Sequence, residues 1–143
     1  MENNMKIIIS SDINNIVTVR TAVVSHVSTI NNISVDDVLD IKTAVNEAVS
    51  NAIEHGYNEY KGDVEINVNI LDNNITIKVI DKGIGIPNID LALTPSYTSK
   101  PELEHAGLGF TIMENFMDSI VVDSTVNEGT TIILTKEIKN IEG

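Results

Sequence analysis

The sequence predicts a two-layer α+β sandwich, with helices gathered on one face of a mostly antiparallel sheet. Three observations carry that expectation. Apolar stripes at helical spacing fill residues 13–55, apolar–polar alternation fills 64–79, and a second strand-like pair occupies 119–136. A striped helix and an alternating strand each have one apolar side, and stacking the helices on one sheet face buries both sets.

Taken in order, residues 5–11 (MKIIISS) read as a strand. Asp12 is placed to cap the helix that follows, where Ile13, Ile16, Val17, Val23, Val24, Val27 and Ile30 recur near helical spacing. Asn31, Asn32 and Ser34 interrupt the pattern. A longer helix is expected from about Val35 to His55, with Val38, Ile41, Val45, Ala48, Val49, Ala52 and Ile53 as its stripe and Gly56 as its C-terminal cap. Val64, Ile66, Val68 and Ile70 then alternate with polar residues, as do Ile75, Ile77 and Val79. Asp72-Asn73-Asn74 between them has turn composition, so the two runs predict a hairpin. From Gly83 to Gly109 no period stands out, and a loop of that length in a compact domain is usually functional. Residues 110–117 read as a helix, and 119–126 and 130–136 as strands joined across Asn127-Glu128-Gly129. Neither a linker nor a repeat divides residues 1–143, so a single domain is expected.

Composition narrows the function classes. Of the 143 residues 42% are apolar but only 3% aromatic, so the core must be aliphatic. Cysteine is absent, which removes disulfides, thiolate metal sites and cysteine nucleophiles and suits the cytoplasm. The formal net charge is −12, from nine basic and twenty-one acidic residues. A nucleic-acid binder needs a basic face to displace counterions from phosphates, so direct nucleic-acid binding is not expected. The acidity serves solubility, or steers a basic protein partner. No stretch approaches the roughly 20 apolar residues of a membrane span, and a soluble, unprocessed, cytoplasmic chain is expected.

Four patches carry chemistry. Glu47, Asn51 and His55 are spaced i, i+4, i+8 and line one side of the second helix, away from its apolar stripe. An amide oxygen suits the shell of Mg²⁺, which prefers oxygen ligands, and a carboxylate can accept a proton from an attacking hydroxyl. Asp81-Lys-Gly83-Ile-Gly85-Ile-Pro87 follows a strand directly; its Asp can accept from an exocyclic amine, and its glycines let backbone approach a flat ring. His105-Ala-Gly107-Leu-Gly109-Phe110 is expected to open a helix, with amides free for phosphate oxygens. Gly129-Thr130-Thr131 starts the last strand and offers a hydroxyl to a base edge. Taken alone, each has a plain reading as a solvated helix face, a strand-ending turn, a loop or a hairpin. No Walker lysine motif and no six-residue dinucleotide fingerprint occurs.

In this order, a helix with E-x-x-x-N, a strand ending D-x-G-x-G, a G-x-G and a G-T-T resemble the GHKL superfamily of ATPases and kinases, along nearly the whole chain. Within it, NAIEHGY, DKGIGIP, SKPELEHAGLGFTIMENFMD and GTTIILTK are similar to the anti-sigma serine kinases of spore-forming bacteria. The resemblance implies a GHKL ATP-binding sandwich in which Asn51 holds Mg²⁺ against the ATP phosphates and Glu47 activates a substrate serine. It implies that Asp81 reads the adenine amine with help from Thr130, and that Gly83 and Gly85 shape the adenine wall. Gly107 and Gly109 would cradle the phosphates, under a lid from about Ile89 to Ala106. Where the family often places an arginine near the terminal phosphate this chain has His105, a weaker stabiliser of charge when neutral, with Lys100 able to compensate. The resemblance also implies a homodimer that binds a sporulation sigma factor and phosphorylates an anti-anti-sigma protein on serine, with Arg20 at a partner contact.

Two rival readings stand beside this one. The catalytic domain of a histidine kinase would need an acceptor histidine on an upstream helix, and only about five residues precede the first predicted strand, although it could act in trans. A binding module that uses ATP only to set its shape has no need of a base such as Glu47.

Overall fold

The computed structural model describes residues 2–57, 61–93 and 101–139, with the backbone alone for residues 91 and 101–107. Five strands form one antiparallel sheet: β1 (Glu2–Ser10), β2 (Asp63–Leu71), β3 (Asn74–Asp81), β4 (Ser119–Thr125) and β5 (Gly129–Glu137), in the order β1-β2-β3-β5-β4. Helices α1 (Ile16–Val27), α2 (Val35–Asn51) and α4 (Pro101–Phe116) are the long ones, and α3 (Ile89–Ala92) is a single turn. The expected α+β architecture is therefore the observed one.

Alternation explains the sheet. Val64, Ile66, Val68 and Ile70 of β2, Ile75, Ile77 and Val79 of β3, and Ile132 and Leu134 of β5 are all buried. Ile41, Ala44, Val45, Ala48 and Val49 of α2 meet them in one cluster, together with Phe110 and Met113 of α4. Large aliphatic side chains, each stabilising by about 1.5–3 kcal/mol when fully buried, thus replace the aromatics the composition lacks. The β2–β3 hairpin turns where expected, with Asp72 at φ 55°.

Several boundaries differ from the sequence expectation. Strand β1 begins at Glu2 rather than residue 5, because Glu2, Asn3 and Asn4 pair with Leu71, Ile70 and Asn69. The first helix is preceded by a 3₁₀ turn at Ile13–Asn15, which Asp12 caps by accepting from Asn14 N at 2.9 Å. Its buried positions are Ile16, Val19, Val23 and Val27, whereas Val17 is 57% exposed. Ser34 is a cap rather than a breaker: its Oγ accepts from Asp37 N at 3.0 Å, with Asp36 and Asp37 in the first, dipole-favoured turn. The α-helical part of α2 ends at Asn51 and a π turn covers Ala52–Gly56.

The largest difference concerns residues 83–109, expected to be without regular structure. They contain α3, and α4 starts at Pro101, nine residues before the expected helix. Proline suits the first position of a helix, whereas Gly107 and Gly109 weaken the helical pattern in the sequence.

Candidate nucleotide site

At one end of the sheet, β3 delivers Asp81 to the helix-covered face. Its side chain is buried at 4% exposure, and its register partner on β5 is Thr130, at 5%. Asp81 Oδ1 accepts from Gly83 N at 2.9 Å. Burial raises the Asp81 carboxyl above the ordinary carboxylate range, opposed in part by the backbone N–H groups of Gly83 and Thr130. A desolvated acceptor closed off by its own turn is suited to a donor that brings no water with it.

Glycines make that closeness possible. A methyl group on Gly56 would sit 2.8 Å from Asp81 Oδ1, and one on Gly83 would overlap the Gly56 carbonyl. Gly56 does not adopt the left-handed conformation of a helix cap; it is small because Asp81 lies against it. Gly85 does adopt φ 77°, with Thr125 O directly beside it. Hydrogen bonds lock the arrangement: Ile84 N donates to Gly56 O at 3.0 Å and Asn127 N to Ile84 O at 2.7 Å.

Sequence reasoning missed two residues here. Tyr57 Oη accepts from Lys82 N at 2.7 Å and donates to Asp63 O at 2.8 Å, tying the π turn to the ends of β2 and β3. Ser124 Oγ accepts from Ile86 N at 2.8 Å and lies 2.7 Å from Thr130 Oγ1. The available signal for Ser124 was a polar residue in phase with Ile120 and Val122, whose side of β4 faces inward.

Just before the π turn that packs on Asp81, α2 carries Glu47 and Asn51. Asn51 is buried at 8% exposure, so this side of α2 is not a solvated face as the i, i+4 spacing alone suggests. Glu47 is half-buried and faces α4, where a methyl on Gly109 would be 3.1 Å from its Oε2. His55 falls within the π turn, whose wider pitch breaks the i+8 alignment with Glu47. Gly107 and Gly109 lie inside α4 rather than at its start, so helix geometry commits their N–H groups to carbonyls one turn back. The expectation that these glycines open a helix is thus corrected. His105 is on the same helix, Lys100 lies outside the described residues, and the expected lid spans α3, undescribed residues 94–100 and the first turns of α4. Arg20 is on α1 and reaches α2, donating to Asn46 Oδ1, next in sequence to Glu47, at 3.4 Å and lining a shallow groove of about 310 Å³ with Val24, Val38 and Lys42.

The donor set suits a magnesium nucleotide. The Asn51 amide oxygen is a hard ligand of the kind Mg²⁺ prefers, and the missing Cβ of Gly109 leaves the Glu47 carboxylate uncrowded nearby. Among the described residues no cluster of three His, Asp or Glu side chains forms a protein cage, and a Mg²⁺ ion shared with phosphates needs none.

A buried acceptor at a strand end, glycines packed against it and a polar pair on the facing helix define a nucleotide-binding class. This chain belongs to the histidine kinase-like ATPase family, whose pattern matches residues 9–136. It is 46% identical to the anti-sigma F factor of Clostridium kluyveri over 98% of both chains. It is also 56% identical to the anti-sigma F factor of Geobacillus thermodenitrificans over 73% of each. Among solved structures, the RsbU and RsbW domains of a Mycobacterium tuberculosis protein share the fold with a TM-score of 0.65 at 21% identity, covering 95% of this chain and 32% of that one. The histidine kinase domain of a blue-light activated kinase of Erythrobacter litoralis does so at 0.56 and 16% identity, covering 88% of this chain and 60% of that one. Among the described residues no helix is long and apolar enough to cross a membrane.

Proposed function

We propose that this chain is an ATP-dependent anti-sigma factor and protein serine kinase: it binds a sporulation sigma factor and phosphorylates an anti-anti-sigma protein on serine. The relatives named anti-sigma F factor support the class. The observation that carries the chemistry is the close approach of the Glu47 carboxylate to Gly109, where a methyl group would stand 3.1 Å from Oε2. In this reading Asp81 and Thr130 bind the adenine edge, and Gly83 and Gly85 form its wall. Asn51 holds Mg²⁺, which when bound neutralises phosphate charge. Glu47 takes the proton of the substrate serine.

Lys100 and His105 stand nearest in sequence to the phosphate-contacting glycines and are assigned to the terminal phosphate. For the amides of Gly107 and Gly109 to reach phosphate oxygens, the first two turns of α4 must unwind, since a helix frees donors only at its N-terminus. The protein works as a cytoplasmic homodimer in this account, with Arg20 at a partner contact.

The test is incubation with labelled ATP, Mg²⁺ and an anti-anti-sigma protein. Label on serine of that partner supports the proposal. Label on a histidine of this chain would favour a histidine kinase, and ATP binding without transfer would favour a binding module.

A further inference from the structure

Two consecutive residues of the chain grip the end of β3. Gly56 lies against the Asp81 carboxylate, and its carbonyl accepts from Ile84 N at 3.0 Å. Tyr57, buried at 7% exposure, sends its hydroxyl between the ends of β2 and β3. The register of that pair runs to Val64 opposite Asp81, and one step further sets Asp63 opposite Lys82. A backbone N–H can only donate and a backbone carbonyl can only accept. The hydroxyl therefore accepts from Lys82 N at 2.7 Å and donates to Asp63 O at 2.8 Å. A direct ladder bond would hold nitrogen and oxygen about 2.9 Å apart. With a phenol oxygen bridging them, the end of β3 stands farther from β2. The ring also has a seat of its own. A methyl group on Gly62 would overlap its edge, and Ser11 holds Gly62 in place. Ser11 N donates to Gly62 O at 2.9 Å, and Gly62 N donates to Ser11 Oγ at 3.0 Å.

We infer that Tyr57 is a positioning residue for base recognition: its hydroxyl spaces β3 from β2 at Lys82 and so holds Asp81 against Gly56. This rests on the proposed nucleotide site. The turn that gives Lys82 N to Tyr57 also gives Gly83 N to Asp81 Oδ1 at 2.9 Å. Strand end and carboxylate are thus oriented together. Without the hydroxyl, Lys82 N and Asp63 O face each other across a gap, and buried backbone groups seek partners. A direct bond would close that gap and draw Asp81 away from Gly56. Tyr57 acts on the base only through Asp81.

The experiment is calorimetric affinity for ATP and GTP, with Mg²⁺, in the full chain and its variants. Tyr57→Phe keeps the ring on Gly62 and removes the hydroxyl alone. The variant folds, and its ATP affinity falls about three- to tenfold, the worth of one hydrogen bond. Its ATP-to-GTP ratio falls as well, because guanine has a carbonyl where adenine has the amine that Asp81 accepts. In an Asp81→Asn background the tyrosine change has no further effect on ATP affinity. Unchanged ATP affinity in Tyr57→Phe overturns the inference. An equal loss for both nucleotides, or an equal loss in the Asp81→Asn background, also overturns it and makes the hydroxyl a general brace. A Tyr57→Phe chain that fails to fold does the same, since the hydroxyl would then serve stability. A parent that binds neither nucleotide, or an Asp81→Asn chain with the parent's affinity and preference, overturns the nucleotide-site reading itself.

Discussion

The backbone of Gly56 lies directly under the carboxylate of Asp81: a methyl group at Gly56 would stand 2.8 Å from Oδ1 and 2.9 Å from Cγ. The π turn that ends α2 and the strand end that carries the buried acid are therefore fitted to each other. Gly83 approaches the Gly56 carbonyl in turn, and Ile84 N donates to that oxygen. The base end of the site is thus a three-part junction held by close backbone approach.

Substituting that junction should damage binding and stability together. Gly83→Ala puts a methyl into a backbone carbonyl, which cannot swing away as a flexible side chain can. The expected cost is about 1–3 kcal/mol of overpacking, read as a lower urea midpoint, with weaker ATP binding. A variant with parent stability would show that the Gly56–Gly83 contact is looser than described.

Asp81→Asn should separate function from stability. Losing a charged acceptor at a buried site should weaken ATP binding by about 1–3 kcal/mol and blur the preference for ATP over GTP. Stability should move the opposite way. Because burial raises the folded carboxyl above its unfolded value, the native state holds its proton more tightly. The stability linked to that proton is full below the unfolded value and is lost as pH rises through the folded one. At neutral pH the parent carries the cost of a buried charge that the asparagine variant lacks. Denaturation curves should show the variant gaining on the parent as pH rises from about 4 toward neutrality. A constant difference across that range would contradict the burial account.

Replacing Asn51 by Ala should abolish Mg²⁺-dependent ATP binding and phosphoryl transfer while the far-ultraviolet circular dichroism stays that of a folded chain. Full phosphorylation by the variant would make Asn51 a packing residue only.

Adding ATP and Mg²⁺ should raise amide exchange across residues 101–106 and reduce helical signal by roughly two turns, as α4 opens to present Gly107 and Gly109. Unchanged exchange there would remove these amides from the phosphate site.

Much of this was legible because burial imposes period. The sheet alternates in β2, β3 and β5, and the α2 stripe from Ile41 to Val49 is continuous, so pattern alone located the two layers. Residues 101–109 misled because glycines weaken a helical pattern, while the partner that makes Gly109 worth keeping, Glu47, is remote in sequence. Gly56 misled for a similar reason: its place after a helix suggests a cap, and only the fold brings Asp81 against it. Ser124 was invisible because its role depends on Ile86 and Thr130 meeting at one oxygen.

The central claim is that Glu47 is a catalytic base rather than a nucleotide ligand, and Glu47→Gln tests it most directly. The amide keeps the size of the side chain and its fit beside Gly109, so packing should survive. Initial rates of serine phosphorylation on the anti-anti-sigma protein should be measured beside ATP affinity and ATP-dependent sigma-factor capture. The account predicts a rate lower by on the order of 10²–10⁴, with both binding activities retained. Phosphorylation at the parent rate would contradict it, and loss of ATP binding would move Glu47 into the metal shell and leave the base to be found elsewhere.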